Sequence, residues 1–490
     1  MPYFLAAGAV AYLYLGLGIG QVFNEDYAVY LQQAWNIAHH LPMNQMGVIQ
    51  YFDPDLPLLL QSPLTYPPLL PIIYAIPVRL VGFELQTFKV IQLGMLGVGL
   101  LLFCYGMRRW RFDSLEISAS IVIFAFSSEL RRSVNSIGAD LPFIFFLMIA
   151  LLAMDGLVGS TNRERRWWGL FLGIAIFVAI DLRTVAIALL PTVFLSDLIV
   201  HRRVRLLALS IPVATLAALW IFQWLMSWSG VSYEFILHYR FFTPIENIQQ
   251  FYWALTQPAP GLCFAHLRGA ILLLLSALAV LALLYEAARG TAIALYIVSY
   301  TALLLVLPNF SAGARYLVPQ LLVLGAFAVR GAALIARLIG SGNRARGLVA
   351  SGTGALGVLG GLLTPAPLPP GRWDFGVTSA PAHELFAFIR NETPDDALIA
   401  TSKYRSFHLF TQRTTIRLPS FGNAADMLEW LHANRVSDVA IRFSGPRSYY
   451  DSTDCPGQPL CRWSGSELKE VFRNSDFALF QVGSGNERAR

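Results

Sequence analysis

The chain has 490 residues, of which 56% are hydrophobic and only 13% are charged, and its formal net charge is +6. Soluble domains carry roughly a quarter of charged residues, whereas the apolar residues here fall in runs of about 15 to 22, the length that crosses a bilayer. The composition therefore excludes an ordinary soluble protein. Much of the positive charge lies in short loops between apolar runs, which indicates membrane orientation rather than nucleic-acid binding.

The apolar runs predict a polytopic α-helical membrane protein with about eleven transmembrane helices. In chain order the runs lie at 3–22, 86–106, 114–130, 141–155, 167–181, 185–200, 206–228, 268–285, 291–308, 316–336 and 347–364. The first run has neither a basic start nor a small-residue cleavage site, so we interpret it as a retained span. A further apolar stretch at 69–82 is interrupted by prolines, which indicates a re-entrant or interfacial segment.

Basic residues predict the orientation of these spans. If the N-terminus is cytoplasmic, every cytoplasmic turn is basic, as the positive-inside rule requires. These turns are Arg108–Arg111, Arg163–Arg166, Arg202–Arg205, Arg289 and Arg337–Arg346. The long first loop and the C-terminal tail then lie outside the cytoplasm, and we expect the protein in the plasma membrane.

The C-terminal part of the chain changes character after a Pro/Gly-rich linker at 365–380. Helix-like and strand-like segments alternate there, which predicts a small α/β domain with a mainly parallel sheet. We expect helices at 382–391, 424–434 and near 466–474, and strands at 397–400, 438–441 and 477–482. The predicted domains are thus a transmembrane domain at 1–364 with an external loop at 23–85, the linker, and an extracytoplasmic domain at 381–490.

Two cysteines of the tail, Cys455 and Cys461, enclose a short Pro/Gly-containing loop. This spacing indicates a disulfide bond, which would place the tail in an oxidising compartment. It agrees with the predicted orientation.

Acidic residues appear directly where the first span ends, at Glu25 and Asp26. The residues that follow have helical spacing, with Tyr27, Tyr30 and Ala34 on one stripe, which predicts an amphipathic helix at the membrane surface. Asp26 is a candidate catalytic carboxylate. The alternative is that Asp26 is only the N-cap of this helix, a position that Asp favours, and Glu25 is open to either role.

Asp140 opens the fourth span on the same side as Asp26, where it is a second candidate carboxylate or, again, an N-cap. Several arginines lie on that side, which should be poor in them. They either meet lipid head groups or bind a phosphate. These arginines are Arg131, Arg132, Arg183, Arg240, Arg268 and Arg315. We favour Arg315, in a short turn before Tyr316, and we leave a divalent metal ion open.

With these residues, the chain resembles the GT-C superfamily of polyprenyl-phosphate-sugar-dependent glycosyltransferases. The nearest similarity is to the bacterial family that contains the lipid A aminoarabinose transferase and the related lipopolysaccharide and protein O-mannosyl transferases. The motifs that carry it are Asp26 with Tyr30 and Ala34, Pro67-Pro68-Leu69, Asp140-Leu141-Pro142-Phe143 with Phe145-Phe146, and Arg315-Tyr316-Leu317 with Pro319. Many relatives have Lys or His directly before the two prolines, where this chain has Tyr66.

The resemblance implies an inverting transfer at the external membrane face. The donor would be a polyprenyl-phosphate-linked sugar, and the acceptor a hydroxyl of a lipid, glycan or protein. Asp26 would be the catalytic base and Asp140 would assist it. The candidates for donor-phosphate or substrate binding are Arg315, Tyr316, Arg183, Arg240, Glu25 and Tyr66.

A polytopic transporter, or a flippase of lipid-linked or small solutes, is the alternative class. It would explain many spans and charged residues near them. The long external loop and the external tail favour the enzyme.

Overall fold

The computed structural model describes residues 1–23, 25–43, 45–49, 67–225, 265–306, 316–338, 351–353, 355, 376–443 and 467–483. Within these residues a bundle of apolar helices is followed by a small domain of helices and strands. The helices of the first part are α1 (Pro2–Leu15), α2 (Glu25–Ala38), α3 (Leu69–Val81), α4 (Leu85–Arg109), α5 (Ser114–Phe126), α6 (Ser128–Asn135), α7 (Asp140–Gly159), α8 (Asn162–Leu182), a 3-10 helix (Thr184–Ala188), α9 (Leu189–His201), α10 (Leu206–Leu225), α11 (Ala265–Ala288), α12 (Ala292–Val306) and α13 (Val318–Leu338).

Four segments of the described chain are long and apolar enough to cross a membrane: α4, α7, Thr184–His201 and α13. The pair α11 and α12, bent by 117°, raises this to as many as five by length and composition. The predicted count of about eleven is not confirmed, since α1, α5 and α10 are shorter apolar helices. The predicted eleventh span at 347–364 lies almost entirely outside the described residues.

Two predicted runs are shorter as helices than their hydropathy suggests. The run at 3–22 is helical only to Leu15, where Gly16, Gly18 and Gly20 follow, because glycine is a poor helix former. The run at 114–130 breaks at Ser127, whose hydroxyl accepts from the backbone N–H of Leu130 and begins α6. Both breaks lie next to segments that lead to the candidate carboxylates.

Helix α2 confirms the amphipathic helix predicted after the first span, but its polar face is not in solvent. It packs against α3 and against a helix of the C-terminal domain, and Gln32, Gln33 and Asn36 are buried. The Nδ2 of Asn36 donates to the carbonyl oxygens of Pro42 (3.2 Å) and Gln45 (2.8 Å), so this side chain stabilises the turn that follows the helix.

The C-terminal domain has one six-stranded sheet with helices beside it. Its elements are α14 (Ala380–Glu392), β2 (Leu398–Thr401), α15 (Tyr404–Thr411), β3 (Thr414–Arg417), α16 (Ala424–Ala433), β4 (Asp438–Arg442), β5 (Leu468–Arg473) and β6 (Phe477–Val482), and the sheet also contains β1 (Val48–Ile49). The order is β1-β3-β2-β4-β6-β5, parallel from β1 to β4 and antiparallel from β4 through β6 to β5.

The three predicted strands of this domain are confirmed, as are the helices at 382–391 and 424–434. The helix predicted near 466–474 is wrong, because the chain there forms β5, the edge strand paired with β6. Neither α15 nor β3 was predicted. Both are short, and the polar side chains of α15 are buried in the structure rather than exposed as they would be on a surface helix.

The loop between α2 and α3 is part of this sheet through β1. Strand β1 pairs in parallel with β3, with Val48 opposite Thr415. A second link is a parallel bridge between Gln21 and Gly376, in which the N–H of Val377 donates to the carbonyl oxygen of Gln21 at 2.9 Å. Gly376 has a φ of +77°, and a Cβ there would lie 2.1 Å from that oxygen, so the close approach requires glycine.

Arg330 of α13 holds three helices together at the end of the bundle where α5 begins. Its guanidinium donates to the carboxylates of Glu116 (2.7 Å) and Glu286 (2.7 Å), from α5 and α11, and to the carbonyl oxygen of Arg111 (2.6 Å). Both carboxylates are buried, so one cation compensates two acids in a site with little water.

Candidate active site

Asp26 lies in the first turn of α2, which begins at Glu25. It is therefore not the N-cap, and that alternative for Asp26 does not hold. Its side chain is largely buried, and its Oδ1 lies 3.9 Å from an Nη of Arg405, whose side chain is only 4% exposed. Glu25 begins the helix, but its side chain is outside the described part of the structure. The first predicted carboxylate therefore faces a buried cation.

Asp140 is the first residue of α7 and forms an ion pair with Arg183, which follows α8 directly. The N-cap of α7 is Ala139, so the N-cap alternative does not hold for Asp140 either. The guanidinium of Arg183 also lies over the ring of Tyr316, 4.6 Å from its centroid. The structure thus brings together three residues that the sequence singled out separately.

Tyr316 is held by a hydrogen bond from α12. The hydroxyl of Tyr300 donates to the carbonyl oxygen of Tyr316 at 2.7 Å. Tyr300 packs against Tyr296, and both are fully buried. The plane of Arg183 is therefore fixed on one face by an aromatic ring and at one edge by the Asp140 carboxylate.

A buried polar cluster, formed by Gln21, Lys89, Gln92 and Asn135, connects the segment before Asp26 to the segment before Asp140. Lys89 of α4 donates to the carbonyl oxygens of Gly18 (3.1 Å) and Gly20. These carbonyls follow α1, where the chain has left the helix and its backbone acceptors need partners.

The rest of the polar cluster fixes the turn that leads to Asp140. The Nε2 of Gln92 donates to the carbonyl oxygens of Val134 (3.2 Å) and Ser136 (3.0 Å), and the Oε1 of Gln92 accepts from the N–H of Gly138 (3.2 Å). Asn135 accepts from the N–H of Gly18, and Gln21 accepts from the N–H of Ile137 at 3.2 Å. The backbone segments that carry the two carboxylates are therefore held against each other.

Asp181 ends the predicted apolar run at 167–181 and was not predicted as a site residue. Its side chain is 1% exposed, and it lies in the last turn of α8, two residues before Arg183. The backbone amide of Leu69, at the start of α3, faces it, but neither carboxylate oxygen has a hydrogen bond of normal length within the described residues. The sequence signal that could have identified this residue is an acid at the end of an apolar run, two residues before Arg183.

One buried apolar cluster joins these groups. It contains Tyr27, Ala139 and Leu182, the sequence neighbours of Asp26, Asp140 and Asp181. It also contains Phe23 and Phe407, from the first loop and from α15. The segments that carry the three carboxylates therefore contribute residues to one apolar cluster, which also contains residues of the first loop and of the C-terminal domain.

Several predicted site residues lie outside the described part of the chain: Tyr66, Arg240, Arg315, Cys455 and Cys461. Their roles, and the predicted disulfide bond, stay predictions. Among the described residues there is no group of three or more His, Cys, Asp or Glu that could hold a metal ion.

A bundle of apolar helices, a first loop that carries acidic residues and a small α/β domain packed on that loop together give a fold similar to that of GT-C membrane enzymes. The resemblance found in the sequence is confirmed at the level of the fold. The apolar spans and this fold make the chain an integral membrane protein.

Two solved proteins show this fold. The aminoarabinose transferase ArnT from Cupriavidus metallidurans, bound to undecaprenyl phosphate, matches with a TM-score of 0.55 at 12% identity, over 97% of each chain. An oligosaccharyltransferase from Archaeoglobus fulgidus, tethered to an acceptor peptide with an NVT sequon, matches with a TM-score of 0.55 at 12% identity, over 90% of this chain and 69% of the other. No protein-family profile and no curated protein sequence matches the chain.

Proposed function

We propose that this protein is an inverting glycosyltransferase that moves a sugar from a polyprenyl-phosphate donor to an acceptor hydroxyl at the external membrane face. The observation that carries the proposal is the ion pair of Asp140 and Arg183, together with one apolar cluster that joins the segments of Asp26, Asp140 and Asp181, in a fold similar to that of GT-C enzymes. The undecaprenyl phosphate bound to ArnT supports the donor class.

In this mechanism Asp26 is the general base. As the acceptor oxygen attacks the anomeric carbon, its proton passes to an Asp26 oxygen, and the bond between that carbon and the donor phosphate oxygen breaks. The electron pair leaves with the polyprenyl phosphate. Attack from the face opposite the phosphate inverts the anomeric carbon. A phosphate needs no strong acid to leave, so one base and a cationic partner for the phosphate are sufficient.

Arg183 is the described cation best placed for that phosphate. A guanidinium has five N–H donors in a fixed plane, and the Asp140 carboxylate and the Tyr316 ring restrict how that plane lies. Asp140 thereby orients the phosphate-binding group as well as assisting the base. We propose that Arg315, Arg240, Tyr66 and Glu25 complete the donor site, with the N-terminus cytoplasmic and the C-terminal domain extracytoplasmic.

The test is turnover of radiolabelled polyprenyl-phosphate sugars by the purified protein, with the wild type beside Asp26→Asn. We expect transfer by the wild type and a loss of about 100-fold or more in the variant, the scale of removing a general base. Equal turnover by the two proteins would remove Asp26 from the mechanism. A protein that moves labelled donor across vesicles without cleaving it would be a flippase.

Asp155→Asn is the matched control. Asp155 lies on α7 like Asp140 and is also paired with an arginine, Arg109, but at the opposite end of that helix. It should keep transfer within about twofold of the wild type, because an exposed pair at that end contributes little. Asp140→Asn should instead lose transfer.

A further inference from the structure

The C-terminal domain places a buried arginine at the candidate base. Arg405, the second residue of α15, has a side chain that is 4% exposed and lies 3.9 Å from the Oδ1 of Asp26. Building on the proposed function, we infer that Arg405 is a positioning residue: it holds Asp26 in the ionised, oriented state that accepts the proton. The external domain would then be a part of the active site.

Adjacent residues of the two helices fix this contact. The hydroxyl of Tyr27 donates to the Oγ of Ser406 at 3.1 Å, and both side chains are fully buried. Asp26 and Arg405 are the preceding residues on each helix, so one hydrogen bond determines how the two charges face each other. Further along α2, the Nε2 of Gln412 donates to the Oε1 of Gln32 at 3.5 Å.

An aromatic cluster prevents the domain from sliding along α2. The ring of Phe23, just before the helix, contacts the rings of Phe386, Phe407 and Phe477, with centroids 5.7 to 6.3 Å apart. Phe407 lies two residues after Arg405. The position of the guanidinium relative to Asp26 is therefore set from α14, α15 and β6 at once.

Burial is the reason to assign a role to this charge. An arginine removed from water costs stability unless a carboxylate and hydrogen bonds compensate it, and apolar residues usually pack such a position as well or better. The neighbouring Tyr404 and Phe407 show that an apolar side chain fits this helix. A cation near a carboxylate favours its charged form, which is the form that a general base needs.

The test compares Arg405→Gln and Arg405→Lys with the wild type, using a donor that the wild type turns over. We expect Arg405→Gln to lower kcat about 10- to 100-fold, the scale of misplacing a catalytic group, with the donor KM within about twofold. Arg405→Lys keeps the charge but not the planar fork, and should recover kcat to within about fivefold.

Arg413→Gln is the matched control. Arg413 belongs to the same domain, and its side chain bonds Arg390, Thr393 and Asp395 within that domain. Its loss should lower the thermal midpoint and leave kcat unchanged. A fall in kcat equal to that of Arg405→Gln would show that domain stability alone governs activity and would overturn the inference.

A double variant separates a role through Asp26 from an independent one. In Asp26→Asn the carboxylate charge is gone, so adding Arg405→Gln should cause less than a twofold further loss. The same factor in both backgrounds would overturn the inference. If Arg405→Gln does not fold, the same cycle with Arg405→Met, whose apolar side chain suits a buried position, decides: a loss of kcat confined to the Asp26 background supports the inference, and equal or absent losses overturn it.

The proposed function and this inference fail in different ways. If Asp26→Asn keeps the wild-type kcat, the proposed base is wrong. If Asp26→Asn is at least 100-fold slower while Arg405→Gln behaves like Arg413→Gln, only the positioning role is wrong.

Discussion

Replacing Arg183 by Gln tests whether the site is built on the pair between Arg183 and Asp140. The side chains are only 12% and 16% exposed, so the variant leaves a nearly buried carboxylate without its cation. Breaking a fully buried pair in this way costs about 3–5 kcal/mol, and the partial exposure lowers that to about 2–4. Loss of the contact with the Tyr316 ring adds about 1 kcal/mol.

A second substitution, Asp140→Asn, should restore much of this loss. With the carboxylate neutralised, the orphan charge is gone, and the remaining cost is about 1 kcal/mol for the lost aromatic contact. The double variant should therefore be about 2–4 kcal/mol more stable than Arg183→Gln alone. The assay is the thermal unfolding midpoint of the four detergent-purified proteins, at one detergent concentration and one pH.

The pair between Arg109 and Asp155 is the control for this cycle. Its side chains are 44% and 26% exposed, and exposed pairs are typically worth less than 1 kcal/mol. The reasoning would be refuted if the stability losses of Arg183→Gln and Asp140→Asn simply added in the double variant. The coupling energy of the two residues would then be no larger than that of the control pair. Such additive losses would mean that water reaches the Asp140 carboxylate.

Three further predictions follow from other groups of the structure. Asp181→Asn should leave the thermal midpoint equal or higher, because no described hydrogen bond is lost, while transfer falls more than about tenfold; a lower midpoint with intact transfer would contradict a functional role. His408, whose Nδ1 and Nε2 bond the carbonyl oxygen of Arg413 and the N–H of Gly47, has its pKa lowered by burial. The stability that neutral His408 contributes to the protein is complete above the unfolded pKa of about 6.5 and declines as pH falls through the folded pKa. The difference in thermal midpoint between the wild type and His408→Gln should therefore shrink from pH 7.5 to pH 5. A constant difference would count against this role of His408. Arg330→Met should lose about 3–5 kcal/mol by leaving Glu116 and Glu286 buried without their cation, and adding Glu116→Gln and Glu286→Gln should recover part of that in the same midpoint measurement.

The apolar helices could be predicted from the sequence because their signal is local. Runs such as 141–155 are apolar throughout and end at charges, and α7 lies within a few residues of the prediction. The failure at 466–474 has a physical cause. Leu468–Arg473 mixes charged and apolar residues as a surface helix does, but its charged side chains are exposed on an edge strand that pairs with β6.

The residues of the candidate site could be predicted only where a charged residue lies at the end of an apolar segment. Asp26, Asp140 and Arg183 stood out because charges at the ends of apolar spans are costly and need a reason. Arg405 carried no such signal, since arginine is ordinary in a sequence that reads as soluble. Its importance arises only from the packing of α15 on α2, a contact that sequence periodicity does not encode.

Strands β1 and β3 belong to one sheet but are synthesised at very different times, which affects how the protein folds. Tyr27 and its partner Ser406 are 379 residues apart in the chain. At the usual rate of 5–20 residues per second, roughly 20–75 s pass between the emergence of the two. During that time the first loop has been synthesised without the domain that completes it, so β1 lacks its β3 partner. Translation that stops before residue 400 would therefore leave an inserted helical bundle whose outer loop is unpaired and open to proteases and chaperones.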